Sequence, residues 1–289
     1  NTVEYIGEAV FRGTDNLEKL TLPFVGQERG INDANVDKNE MFGWIYGYNN
    51  GNDNSNLSYS IETALKHVTI TDDTQIGAYA FSNADEILTV TISHTVEFLG
   101  EHAFAYNDKL TTVTFDETVA PCGIKTIEKG TFRDSVSLVM ATLPRSVTII
   151  EDYVFYNCVA NPSFLVQNTV KEIGEYTFAF PDENTVSNLT AVTFGENIDL
   201  KVISKALFRN ANVLEMHELP ISVERIETLA FENCKSENFD YFTVSDKVEY
   251  IGEAVFRGTD NLTTLTLPFV GAYNGVTGSE VDTDEMFGW

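Results

Sequence analysis

VEYIGEAVFRGTDNLEKLTLP, residues 3–23, decides the reading, and it returns as VEYIGEAVFRGTDNLTTLTLP at residues 248–268. Its first half sets a branched aliphatic residue, Ile6, five positions before an aromatic one, Phe11. Its second half runs Leu17-x-x-Leu20-x-Leu22 and stops at Pro23. Apolar residues at alternate positions read as a short strand with one buried face. A proline directly after such a strand sits where no amide donor is required.

Both halves recur. The aliphatic–Phe pair appears nine times: Ile6–Phe11, Ile76–Phe81, Leu99–Phe104, Ile127–Phe132, Ile150–Phe155, Ile173–Phe178, Ile203–Phe208, Ile226–Phe231 and Ile251–Phe256. The alternating segments end at Leu22, Ile70, Ile92, Phe115, Leu143, Val166, Phe194, Leu219, Val244 and Leu267. Two are degenerate, since Phe164-Val166 lacks its first member and Leu214-Leu219 carries His217 in the middle. Successive ends lie 48, 22, 23, 28, 23, 28, 25, 25 and 23 residues apart. A period in the twenties, with one apolar face per copy, means that neighbouring copies must bury one another. The spacing predicts a wall of stacked parallel strands, with Ile and Phe packed inward from the opposite wall. The step of 48 is one copy carrying an insertion, residues 24–62.

The period is that of leucine-rich repeats. The pattern V-x-x-I-G-x-x-A-F followed by L-x-x-L-x-L-P resembles the BspA-like, surface-antigen subclass, and the resemblance covers nearly the whole chain. The fold class expected is an α/β leucine-rich-repeat solenoid, mostly β, with short strands and turns opposite the strand wall. Residues 1–289 are read as one solenoid of about ten repeats. Residues 1–44 match 246–289 at 30 of 44 positions, and neither end shows a polar capping repeat, so the chain is expected to be a fragment of a longer array. The resemblance implies a secreted or surface-attached protein, of a host-associated bacterium or a protist, used for attachment or recognition.

Charge narrows the partners. The chain carries 44 acidic and 18 basic side chains, a formal net charge of −26. Such a surface repels phosphates and anionic lipid, which argues against nucleic acid as a partner. No apolar run approaches bilayer-spanning length, so no membrane insertion is expected in this stretch. Three cysteines, Cys122, Cys158 and Cys234, do not make a disulfide framework. Cys158 and Cys234 fall in a slot three residues after the repeat Phe that takes small residues elsewhere, and read as core fillers; Cys122 lies outside the pattern.

Two candidate binding surfaces follow. The residue between the last two apolar positions of each strand should face outward, which gives Thr21, Thr69, Thr91, Thr114, Thr142, Leu165, Thr193, Glu218, Thr243 and Thr266. Two residues earlier stand Lys19, His67, Thr89, Thr112, Met140, Ser163, Ala191, Met216, Tyr241 and Thr264. The face is small, polar and nearly uncharged on a strongly acidic molecule. Threonine also simply suits an exposed strand. The second candidate is the insertion, where Phe42, Trp44, Ile45, Tyr46 and Tyr48 read either as an aromatic recognition patch or as a plug replacing a missing Ile–Phe pair. Upstream, Asp33, Asn35, Asp37, Asn39 and Glu40 resemble the start of a calcium loop, but Lys38 stands where the turn needs glycine and Trp44 where the closing carboxylate belongs.

Histidines His67, His94, His102 and His217 lack zinc-ligand spacing, and no phosphate loop or nucleophile elbow is present. The expectation is a non-catalytic surface or secreted protein, without metal or other cofactor, binding a protein or a host-surface glycan. The alternatives are a structural stalk and a surface-polysaccharide enzyme.

Overall fold

A computed structural model describes residues 2–30, 41–47 and 64–275. The chain divides into two compact units, one formed by residues 1–140 with 144–147, the other by 141–143 with 148–289.

In the first unit the strands Lys19–Leu22, His67–Ile70, Thr89–Ser93 and Thr112–Asp116 form one parallel sheet in that order. The register aligns the repeats residue for residue: Leu20, Val68, Val90 and Val113 face the core in one row, and Thr21, Thr69, Thr91 and Thr114 face outward in the next. A second parallel ladder joins Gln75–Ile76 to Phe98–Leu99, so the aliphatic residue of these two pairs lies on its own short strand. Phe81 stacks between Phe42 and Phe104, with centroids 4.9 and 5.1 Å away, and Phe132 follows Phe104 at 5.7 Å.

The second unit repeats this plan. Ser163–Val166 pairs with Ala191–Phe194, and Tyr241–Thr243 with Thr264–Thr266, all parallel. Opposite them Ile149–Ile150 pairs with Glu172–Ile173, and Val202–Ile203, Arg225–Ile226 and Tyr250–Ile251 form a three-stranded ladder. Phe155, Phe178, Phe208, Phe231 and Phe256 stack in sequence at 5.7, 5.9, 5.3 and 5.6 Å with nearly parallel rings. Glu232, buried, ties three coils together on the arc: Arg209 Nε donates to one oxygen at 2.6 Å and Arg257 Nε to the other at 2.7 Å.

Among the described residues there is no α-helix; the one helical element is the 3-10 turn Phe42–Tyr46. The helix of an α/β repeat is therefore replaced by an arc of turns. Geometry excludes a helix there, because each arc contains a left-handed residue three positions after the aliphatic one: Ala9, Tyr79, His102, Gly130, Tyr153, Tyr176, Ala206, Leu229 and Ala254 all have φ between 52 and 60 degrees or within a degree of that range. A second left-handed position falls two residues after most of the Phe residues, at Gly13, Asn83, Asp134, Asn157, Asn210, Asn233 and Gly258 among others. There the occupants are mostly Gly, Asn and Asp, the residues that tolerate this region. Asn107, just beyond, donates from inside the arc to the carbonyls of Phe81 and Phe104.

The insertion has a defined architecture at both of its described pieces. On the strand wall Lys19–Leu22 pairs directly with His67–Ile70, with nothing between. On the other walls an extra layer intervenes. Residues after Phe24 double back so that Ile6 N donates to Gln27 O, and Tyr5 bridges Glu28 antiparallel. Ala9 and Phe11 donate to the carbonyls of Trp44 and Ile45, while Phe42 N donates to Ala80 O. Met41, Phe42 and Ile45 are buried. The first piece is held by Asp73, whose carboxylate accepts from the amides of Val25 at 3.0 Å, Gly30 at 3.1 Å and Thr74 at 2.9 Å. Burial pushes the Asp73 pKa above the usual carboxylate value despite these donors. The same doubling back returns in the second unit, where Ile251 N donates to Ala272 O and Tyr250 bridges Tyr273.

Candidate binding face

The outward rows of the first sheet are as regular as their sequence. Thr21, Thr69, Thr91 and Thr114 stand in register, exposed or half-buried, beside Lys19, His67, Thr89 and Thr112. A side-chain bond crosses this row between His67 Nδ1 and Thr89 Oγ1 at 2.9 Å. The face is lined mostly by threonine hydroxyls.

Met140 and Met216, read above as outward, are buried. In their place Ala141 is exposed and His217 half-exposed. A long apolar thioether gains more from the core than alanine or histidine at the next position does. The turn that follows cannot keep the pleat, and both segments lose their strand: Thr142 keeps only an isolated bridge to Leu165, and Glu218 one to Thr243.

The consequence in the second unit is a break in the strand wall. Ala191–Phe194 pairs with Ser163–Val166 on one side, but among the described residues no ladder joins it to residues 216–219 on the other. An open cleft of about 620 Å³ lies at this break, lined among others by Thr193, Met216, His217, Glu218, Tyr241 and Thr243. His217 turns its ring onto Tyr241, parallel within 7 degrees and with centroids 4.0 Å apart, and its Nδ1 lies 3.0 Å from Tyr241 O. Tyr241 remains 47% exposed, so the pair presents an aromatic plate to solvent. Ile221, 71% exposed, and Glu218, also exposed, flank it. No Lys or Arg lines the cleft.

Thr193, Tyr241 and Thr243 are thus brought together with His217 and Glu218. Thr142 is instead engaged with its neighbours: its hydroxyl donates to Leu165 O at 3.0 Å and accepts from Gln167 Nε2 at 2.9 Å. Thr266 is exposed on the strand beyond Tyr241–Thr243. His217 itself was legible only as a defect in the repeat; the methionine directly before it is the signal that would have turned it outward.

The aromatic patch of the insertion is largely core. Phe42 is 1% exposed and packs on Phe81, so it forms no part of a surface. It plugs the layer that has no Ile–Phe pair of its own. Tyr46 lies near Phe42 and Phe11, at 6.0 and 6.2 Å, and Trp44 Nε1 donates to Ile6 O at 2.8 Å; both are half-buried. Tyr48 and the residues of the calcium-like loop lie outside the described residues. Among the described residues no group of three or more His, Cys, Asp or Glu side chains is arranged to hold a metal ion, and no helix is long and apolar enough to cross a membrane.

The cysteines are all buried and unbridged. Cys158 and Cys234 fill the small-residue slot, and burial pushes the Cys234 thiol pKa far up. Cys122, whose pKa burial raises to about 11, packs in the coil lengthened between Phe115 and Ile127, where its amide donates to Glu117 Oε1. For Cys122 and Cys234 burial thus disfavours the thiolate, the reactive form.

Strands paired in register between coils, an opposite ladder of short strands, and a stacked Phe spine define a leucine-rich-repeat protein. The chain belongs to the BspA type of leucine-rich repeat region, whose family model matches residues 55–182, 118–238 and 235–270. No curated protein sequence matches it. Similar solved structures include a leucine-rich cell surface protein of Faecalibacterium prausnitzii, 19% identical over 70% of this chain and 69% of that one, with a TM-score of 0.44. The leucine-rich repeat protein of T. pallidum is 22% identical over 68% of this chain and 77% of that one, with a TM-score of 0.43. The pneumococcal vaccine antigen PcpA is 16% identical over 88% of this chain and 78% of that one, with a TM-score of 0.35.

Proposed function

We propose that this chain is a non-catalytic binding module of a secreted or cell-surface protein, and that it engages protein or glycan partners through its strand wall. The observation that carries this reading is the wall itself: an outward surface of in-register hydroxyl rows, held by parallel pairing between coils, with an exposed His–Tyr plate where residues 216–219 lose their strand. Rigid backbone pairing fixes these side chains in advance, so a partner is not charged with ordering them. Membership of the BspA type supports a surface role, since surface antigens give that subclass its character. The acidic surface favours partners that are neutral or basic over nucleic acid and anionic lipid.

The test is a binding panel of extracellular-matrix proteins and immobilised glycans, read by surface plasmon resonance. The wild type is run beside a variant with Thr69→Glu and Thr91→Glu and a variant with Tyr241→Ala. Saturable binding that either variant weakens, with unchanged thermal unfolding, is the expected result. Saturable binding that both variants leave untouched moves recognition off the strand wall. A folded chain that binds nothing on the panel leaves the spacer role as the better reading.

A further inference from the structure

Resting on the strand-wall reading just given, we propose that the cleft at Thr193, His217, Glu218 and Tyr241 is a receptor for an arginine side chain of an extended polypeptide partner.

Three features point to that occupant. First, the plate is flat and open. Tyr241 is stacked on His217 at 4.0 Å and remains 47% exposed, so part of the ring pair stays open to a second planar group. A guanidinium is planar, weakly hydrated and drawn to the negative face of a phenol ring. Second, the charge is one-sided. Glu215 and Glu218 line the cleft and no cation does. Glu215 accepts a hydrogen bond from Asn238, but Glu218 has no ion-pair partner among the described residues. Within the chain arginine does pair with carboxylates of this kind of setting, as Arg209 and Arg257 with Glu232 and Arg29 with Asp72. An exposed carboxylate beside an exposed aromatic plate, with no cation of the chain's own, is the half of an arginine site that the partner completes. A neutral sugar would leave that charge unused, and an anionic one would be repelled by it.

Third, the cleft lies where the strand ladder is broken. Among the described residues no strand ladder joins Thr193-Phe194 to His217-Glu218, and both segments line the cleft. A chain with amides and carbonyls of its own meets such segments better than an isolated small cation does. Thr193 and Thr243 hydroxyls complete the polar rim.

The probe is a fluorescein-labelled peptide of alternating Gly and Arg, titrated by fluorescence anisotropy at near-physiological salt. Controls are the Gly-Lys analogue and a Gly-Ser peptide. Because a strongly acidic protein attracts any polycation, the readout is the difference among variants. Tyr241→Ala leaves net charge unchanged and is expected to weaken Gly-Arg binding about two- to fivefold. Glu218→Gln is expected to weaken it to a similar degree. Glu237→Gln, which removes the same charge from an exposed turn outside the cleft, is expected to change it little. All variants are compared by thermal unfolding. The proposal is overturned if Tyr241→Ala matches wild type, if Glu218→Gln does no more than Glu237→Gln, or if the Gly-Lys peptide binds as tightly and with the same variant pattern. A partner from the panel that binds wild type and Tyr241→Ala equally would sink this site while leaving the binding-module reading intact.

Discussion

Gly100→Ala tests how closely adjacent coils approach. A methyl built at Gly100 falls 2.3 Å from Ala78 N and 2.7 Å from both Ala78 Cα and Gly77 C. Every one of those atoms is backbone, so no rotamer change relieves the clash. Restoring ordinary contact requires the two coils to part locally by roughly 1 Å, which places the change at or above the upper end of overpacking costs, about 3 kcal/mol. Gly13→Ala is the control. Gly13 has φ +78 and nothing within 4 Å of the added methyl, so its cost is conformational only, roughly 1 kcal/mol. Urea unfolding followed by far-UV circular dichroism should therefore rank wild type above Gly13→Ala, and Gly13→Ala above Gly100→Ala. Hydrogen exchange should locate the Gly100→Ala loosening at the Tyr79 amide, which donates to Glu101 O across the same junction. A Gly100→Ala protein no less stable than Gly13→Ala would refute the close-approach argument.

Phe178→Ala should cost about 3–5 kcal/mol, because the ring is buried between Phe155 and Phe208 and touches Phe164; calorimetric or urea unfolding measures it. Glu232→Gln keeps one acceptor but sets an amide N–H against an arginine N–H, so a loss of about 2 kcal/mol is expected, read as a lower urea midpoint. Asp73→Asn retains at most one of two acceptor oxygens, and faster hydrogen exchange at Val25 or Gly30 should report the lost bond. The folded Asp73 pKa lies above its unfolded value, so its protonation favours the fold at acid pH and that contribution is lost as pH rises through the folded pKa. The stability gap between wild type and Asp73→Asn should accordingly widen in favour of wild type on acidification; a gap that narrows would contradict the assigned shift.

The strand wall was legible because Leu-x-x-Leu-x-Leu is a period-2 pattern, and every intact copy of it in the first unit is a strand in register. The Ile–Phe pair is equally legible: from Ile76 to Ile251 its aliphatic residue lies on a short strand and its Phe in the spine, while Ile6 lies on none. The pattern misleads where two adjacent residues compete for one place. At Met140-Ala141 and Met216-His217 the pattern assigns the second residue to the core, but the methionine is the larger apolar group and takes it. Short strands and turns opposite the wall are expected from the sequence; the left-handed positions within the arc are not, although their signal is present. Gly13, Asn83, Asp134, Asn157, Asn210, Asn233 and Gly258 recur two residues after Phe, the composition a left-handed position selects. Tyr79, Tyr153, Tyr176 and Leu229 gave no such warning, since backbone pairing between coils holds these side chains in a region they would otherwise avoid. The insertion's aromatics could be read two ways from sequence, because burial depends on the neighbouring coils that flank them.

The extra layer at the insertion is present on two walls and missing from the third. Lys19–Leu22 and His67–Ile70 stay one strand spacing apart, about 4.8 Å, while their arcs are separated by the segment 41–46. Two adjoining coils so spaced form a keystone, thin at the strand face and thick behind it. The thickness at that point is then written into chain length rather than into side-chain choice, and the same doubling back recurs at Ile251 and Ala272 one long period further along the chain.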